Sequence, residues 1–256
     1  MDKLYHIDFD DSHGAKYALL PGDPGRVEQI ASNLDNPRFF HQNREYTAWV
    51  GYLLGERVLV MSTGMGGPST AIAVEELYKT GVNTFIRVGT CGGMADEVKG
   101  GDIVIANAAI RMEGTGLEYV PIEFPAVANL DVTNALVNAA EKNNCKYHVG
   151  IVQCKDSFYG QHDPERMPIG YDLLNKWNAW LKAGCLASEM ESAALYIVAQ
   201  TLRTRAGCVL HVVWNKDREK NGLSNPQSHD TSNVSKIAAD AVRILIEQDM
   251  KKQYKQ

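Results

Sequence analysis

Short apolar runs alternate along this chain with longer segments whose apolar positions recur every three or four residues. The short runs predict strands at Tyr17–Leu20, Arg57–Met61, Thr84–Val88, Asp102–Ala106, Val149–Cys154 and Ala206–Val213. Strict alternation adds an edge-like strand at Tyr46–Tyr52. The longer segments predict helices at Pro24–Asn33, Pro68–Thr80, Val132–Asn143, Tyr171–Ala183, Glu189–Leu202 and Val234–Met250. The last is the clearest: Val234, Ile237, Ala238, Ala241, Val242, Leu245 and Ile246 form one stripe, and Ser232 is placed to cap it. Residues 110–127 show neither period and are expected to be loop. Strands alternating with helices imply an α/β fold with a central, mixed sheet and helices on both faces.

No repeat, linker or low-complexity tract divides the 256 residues, so residues 1–256 are read as one domain. Net charge is −5, and the one basic cluster is Lys251, Lys252 and Lys255 at the end. That balance argues against nucleic acid or an anionic membrane as partner. Five cysteines (91, 145, 154, 185 and 208) are scattered and odd in number, with no CxxC. They point to reduced thiols and a cytoplasmic protein. The opening MDKLYHIDFDD is polar and acidic, unlike a signal peptide, and no apolar run is long enough to span a bilayer.

Three glycine-rich turns carry the first chemical signal: PGDPGRV (Pro21–Val27), STGMGGPS (Ser62–Ser69) and RVGTCGG (Arg87–Gly93). Glycine turns at strand ends expose backbone N–H groups that can converge on an anion. Arg26 and Arg87 add fixed positive charge and forked donors, so the set offers a phosphate-sized site at strand C-termini. The bland alternative is that these glycines merely make tight turns. There is no P-loop, Gly64 to Ser69 is one residue short of GxGxxG, and no HExxH, DxDxDG or GxSxG appears.

Two further segments have a double reading. In Ser188-Glu-Met-Glu191, serine and glutamate match a capping box, with Ser188 at the N-cap. Alternatively Glu191, with two acceptor oxygens and no donor, suits a vicinal diol such as that of ribose. The stretch Lys155–Arg166 (KDSFYGQHDPER) is either a polar surface loop or a base site. In the second case Phe158 offers a face to a planar ring. Gln161 sets donor beside acceptor as a uracil edge demands, and Lys155, His162 and Arg166 offer cationic donors. The remaining histidines show no ligand spacing.

Taken in order, PGDPGRV, NREYT (Asn43–Thr47), STGMGGPSTAIAVEEL, FIRVGTCGG, IEFPAVA (Ile122–Ala128), DSFYGQ and SEMES resemble the nucleoside phosphorylase-I family over nearly the whole chain. The resemblance implies a partly barrel-like sheet and reversible phosphorolysis of uridine, or 2′-deoxyuridine, to uracil and the pentose 1-phosphate. It implies a phosphate site of Gly22, Arg26, Arg87 and Thr90, completed by Arg44 of a neighbouring subunit. Ribose would lie by Met190, Glu191 and Thr90, with His6 of the neighbour at the 5′-hydroxyl. The base would lie by Gly92 and Phe158, with Gln161 reading its amide edge. Catalytic weight would fall on Arg87, Thr90, Glu191 and Gln161. Dimers sharing two sites, assembled as a trimer of dimers, are expected. No organic cofactor or divalent metal is required, and potassium near Glu45, Met65 and Ser69 is implied between subunits.

Two departures bear on the base. Purine-cleaving relatives carry an aspartate where this chain reads Trp214-Asn215, and Asp217 comes late. The uridine-cleaving pattern Gln-Glu-Arg is here Gln161-His-Asp-Pro-Glu-Arg166, an insertion that leaves Lys155, His162 and Arg166 as alternative readers of the uracil carbonyl. The competing functions are a purine phosphorylase, a water-using nucleosidase, a non-catalytic nucleoside sensor and a dinucleotide-binding oxidoreductase.

Overall fold

The computed structural model describes residues 2–253; Lys255 of the basic cluster lies outside them. In chain order the elements are β1 (Tyr17–Leu20), α1 (Val27–Ala31), β2 (Asp35–Asn43), β3 (Tyr46–Leu53), β4 (Glu56–Met61), α2 (Gly67–Lys79) and β5 (Thr84–Gly93). Then follow β6 (Ile103–Met112), β7 (Ala126–Val127), α3 (Leu130–Lys142), β8 (Tyr147–Lys155), α4 (Phe158–His162) and α5 (Gly170–Lys182). The chain continues through β9 (Ala187–Glu189), α6 (Ser192–Thr201), β10 (Arg205–Asn215), α7 (Lys216–Lys220) and α8 (Ser232–Gln253).

All ten strands join one mixed sheet in the order β10-β6-β8-β9-β5-β1-β4-β3-β2, with β7 on β6. A further β10–β5 pairing closes five of them into a barrel. The closure follows from how β5 divides its edges. Along one edge it pairs with β10 from Thr84 to Gly93. Along the other it pairs with β1 as far as Arg87 and with β9 only from Gly92. Between Arg87 and Gly92 that edge is open, because β1 has ended and β9 has not begun. Such a divergence at the carboxyl ends of parallel strands is where α/β sheets form crevices.

Two apolar clusters lie on the two faces. One gathers α2 and α6 with the inner faces of β3–β6 and β8; the other gathers α1, α3 and α8. The predicted stripe on α8 is buried throughout, each large aliphatic contributing roughly 1.5–3 kcal/mol.

The local differences from the sequence reading are instructive. The third glycine segment is not a turn: it continues β5 to Gly93, because β9 and β10 both pair with it there. The helix expected from Pro24 opens as a 3-10 turn, Pro24–Arg26, and α1 covers only Val27–Ala31. Tyr46–Leu53 is not an edge, because β2, polar and exposed enough to escape notice, covers it. Residues 110–127 include the end of β6, a 3-10 turn at Thr115–Glu118, and β7. Ser188 and Glu189 are strand, and α6 starts at Ser192, so the capping box does not form. Ser232 begins α8 rather than capping it; its N–H donates to the Asp230 carboxylate.

Candidate functional site

The open edge of β5 collects the residues expected to bind an anion. Arg26, at the junction of the 3-10 turn and α1, donates Nη1–H to the carbonyl of Val88 at 3.2 Å, inside the gap. Its Nε and Nη2 are buried with no hydrogen-bond partner. Two buried guanidinium donors left unpaired are costly unless something absent from the protein accepts them. Burial and the nearby Arg87 both push against the Arg26 charge. An anion there would reverse that effect.

Arg87 lies along β5 over Gly89, where an added Cβ would stand 2.8 Å from its Cζ. Its Nε donates to Glu189 at 2.8 Å and its Nη2 pairs with Glu191. Burial disfavours its charge, but the two glutamates more than offset this, so its pKa is raised. A Cβ on Gly22 would meet the Gly64 carbonyl at 3.2 Å and Arg87 Nη1 at 3.9 Å. The first two glycine turns and both arginines therefore converge. Thr90, partly exposed, follows on the open stretch of β5.

Glu191 stands at the start of α6 and is buried. One oxygen accepts from the Gly66 N–H at 2.6 Å and the other pairs with Arg87. Its pKa is raised by burial and by Glu189, against the pull of Arg87. Met190 is half-buried in the turn beside it.

Glu189 was not singled out from sequence. Its carboxylate accepts from Arg87 Nε, from the N–H groups of Glu191 (2.9 Å) and Ser192 (3.0 Å), and from the Ser192 hydroxyl. Burial raises its pKa, but Arg87 and these donors hold it below the ordinary range. It thus positions both Arg87 and Glu191.

The base side is built around Ser188. Its hydroxyl accepts from Lys155 Nζ at 2.7 Å and faces the amide oxygens of Gln153 at 2.7 Å and Gln161 at 2.6 Å. One hydroxyl proton serves two carbonyls, so Gln161 can turn to a ligand at small cost. Lys155, at the end of β8, is buried, and burial lowers its pKa against the pull of Glu189 and Glu191. Gln153, Lys155 and Gln161 line a cavity of about 350 Å³ that continues past Met112 to Trp177 and Trp180. Gly92 on β5 is registered with Ser188 on one side and Trp214 on the other. Beside it Phe158, His162 and Trp214 form a tier, with ring centroids 4.2 and 6.5 Å apart. Burial, Lys155 and Lys216 keep His162 from protonating readily.

Arg166 is the expected residue that the structure does not bring in. It is exposed and pairs with Asp163 at 2.9 Å. The insertion runs into a separate 3-10 turn, Pro164–Arg166, and Arg166 is exposed at its end. His6 and Arg44 lie together about the Tyr5 ring. Arg44, in a left-handed turn, stacks 5.8 Å over the Tyr5 ring, and Asn43 holds the His6 carbonyl. Glu76 fixes His6 through Nδ1 (2.6 Å) and the N–H groups of His6 and Ile7. Among the described residues no hydrogen bond joins either to Arg87 or Glu191 within the chain.

The phosphorylase superfamily pattern matches residues 16–247. The chain belongs to that superfamily. This phosphorylase is 51% identical to uridine phosphorylase of Treponema pallidum, over 97% of the chain and 96% of the relative. It is 43% identical to uridine phosphorylase of Thermococcus kodakarensis, over 97% and 89%. It is also 39% identical to guanosine phosphorylase of Halorubrum lacusprofundi, over 84% and 85%. Family membership thus bears out the resemblance, while purine against pyrimidine rests on the base site of this phosphorylase. There Asn215 is committed to structure: Nδ2 donates to the carbonyls of Ala95 and Val98, and Oδ1 caps α7. Asp217 accepts from the Trp177 indole at 3.0 Å. Asn215, an amide held on both ends, has no acidic proton to give a purine ring nitrogen. Among the described residues, no helix is long and apolar enough to cross a membrane.

Proposed function

We propose that this chain is a uridine phosphorylase, converting uridine and phosphate reversibly to uracil and ribose 1-phosphate. The observation that carries the reading is the two buried, unpartnered guanidinium nitrogens of Arg26, Nε and Nη2, beside Arg87 on the open edge of β5, next to Glu191. Phosphate would lie between these arginines, Gly22 and Thr90, on the side of the sugar opposite the base. As the glycosidic bond stretches, the sugar gains positive charge, and the phosphate dianion serves as counter-charge and nucleophile. Glu191 would exchange its Gly66 contact for the 2′- and 3′-hydroxyls.

Negative charge moving onto uracil meets Lys155 and the amide of Gln161. A preorganised donor of this kind is typically worth ~3 kcal/mol in the transition state. Lys155, rather than the outward-turned Arg166, is the buried cation available to a uracil carbonyl; His162 and Phe158 supply the ring tier. Holding phosphate against C1′ adds the entropic part.

His6 and Arg44, which among the described residues make no hydrogen bond to their own Glu191, fit donation to a neighbouring site, and so support a homodimer with shared sites, assembled as a trimer of dimers. The five free cysteines support a cytoplasmic location. The chemistry uses no organic cofactor. Glu45 and Ser69 both border Gly64, where a Cβ would be 3.0 Å from Glu45 Cγ and 3.3 Å from Ser69 Oγ. The Met65 carbonyl lies within 3.3 Å of that hydroxyl. This all-oxygen set fits potassium shared between protomers, where it would steady the adjoining glycine turn.

The test is uracil release from uridine with and without phosphate, with inosine and guanosine in parallel. Phosphate-dependent release from uridine alone is expected. Turnover of guanosine or inosine would overturn the base assignment, and release without phosphate would make the protein a hydrolase.

A further inference from the structure

His211 is a buried histidine, 2% exposed, in the middle of β10. Its Nε2 lies 3.0 Å from the Ser228 carbonyl. A carbonyl only accepts, so Nε2 carries the proton and Nδ1 of the neutral ring presents a lone pair. That Nδ1 is buried and has no partner. In the parallel ladder His211 is registered with Thr90, so both side chains leave the sheet on the same face. Val88 lies on that face too, and its carbonyl holds Arg26. Arg26 is near enough to bear on the His211 charge, so unpaired buried donors on Arg26 and an unpaired buried acceptor on His211 lie in one neighbourhood.

We propose that His211 is a specificity-determining residue of the phosphate site, accepting through Nδ1 the hydrogen bond of a P–OH group. The inference rests on the phosphorolytic reading of the site. Arginines attract any oxyanion, sulfate included. A lone pair distinguishes them, because phosphate at neutral pH carries at least one hydroxyl and sulfate carries none. Taking the P–OH at His211 also turns the unprotonated oxygens toward Arg26, Arg87 and the sugar. The ring must remain neutral for this. Burial and Arg26 keep it so, with His229 acting in the same direction and Asp230 opposing. Its strand neighbours, Thr90 and Ile103, carry no charge.

The experiment uses His211→Asn and His211→Gln in the full chain. Asparagine can place an acceptor near the Nδ1 position; glutamine can keep the donor to Ser228 but leaves Nδ1 unreplaced. Uracil release is measured against phosphate concentration at pH 7, with sulfate as competitor. His211→Gln should raise the phosphate KM about five- to tenfold, the value of one buried hydrogen bond, with kcat and sulfate inhibition nearly unchanged. His211→Asn should retain most of the preference for phosphate. Equal weakening of phosphate and sulfate, or an unchanged phosphate KM in His211→Gln, would overturn the assignment. Thermal shifts with phosphate or sulfate alone read the same preference without nucleoside. A wild-type protein that prefers phosphate but releases no uracil would therefore refute the phosphorolytic reading, not the role of His211.

Discussion

Replacing Glu189 by glutamine tests whether one buried carboxylate organises the reaction centre. The carboxylate accepts from Arg87 Nε at 2.8 Å, from Glu191 N–H at 2.9 Å and from Ser192 N–H at 3.0 Å, besides the Ser192 hydroxyl. Glutamine has a single acceptor oxygen. In its best orientation that oxygen keeps Arg87 and the two N–H groups, while the NH2 donates to a rotated Ser192 hydroxyl. What is lost is the charge, so Arg87 retains Glu191 as its one close counter-ion. Breaking a buried ion pair costs about 3–5 kcal/mol, and the remaining glutamate puts this case at the lower end, ~3 kcal/mol.

Urea denaturation followed by tryptophan fluorescence should show that loss at pH 7. The pH dependence has a definite sign. Glu189 has a folded pKa below its unfolded value, 4.5, so its contribution is complete above that pH. It is lost as pH falls through the folded pKa, and the difference between wild type and variant should shrink in that window. Phosphorolysis should fall by about 10²-fold, the usual consequence of shifting reacting groups by an ångström. A variant as stable as wild type at pH 7, or a stability difference that does not change with acid, would refute the reasoning.

Glu191→Ala should impair ribosides far more than 2′-deoxyribosides, since one acceptor of the diol is removed; equal losses measured as kcat/KM would count against the diol role. Lys155→Met keeps the length of a buried stem and deletes its charge. It should lower kcat about 10²-fold with a small change in phosphate KM, and an unaltered kcat would remove Lys155 from the base site. His13 is buried against Thr80, and burial lowers its pKa from 6.5 to about 4. The unfolded chain takes up a proton that the folded one refuses, so stability should decline as pH falls from 6.5 toward 4, by at most about 1.4 kcal/mol per pH unit. His13→Gln should flatten that slope in denaturation curves, and an unchanged slope would show that His13 does not set it.

Much of this architecture was legible in the one-dimensional pattern because burial repeats with the period of each element. The α8 stripe, the β4 and β5 runs and the helix α3 all followed from that rule. Elements that bury little, such as β2, or that are very short, such as β9, left no periodic trace. Ser188 to Glu191 misled for a related reason. A serine three residues before a glutamate satisfies a helix cap locally, but strand pairing with Gly92 and Gly93 outweighs one capping interaction. Arg166 was within the right segment and on the wrong side of it, since an insertion changes where a turn points without changing its composition.

Local chemistry along the chain thus determined the ingredients: two arginines beside glycine-rich segments, a glutamate suited to a diol, and a segment holding an aromatic, an amide and a lysine. Each depends on residue type and on neighbours a few positions away. The tertiary structure alone decided their assembly. β1 and β9 share one edge of β5 and leave a gap between them, and Arg26, Arg87 and Glu191 meet at that gap from segments far apart in the chain. It also decided that Glu189 would face inward to hold them, and that the lone pair of His211 would stand unpaired beside Thr90. Such outcomes depend on strand register and on which face of a sheet a side chain leaves, and long-range pairing sets both.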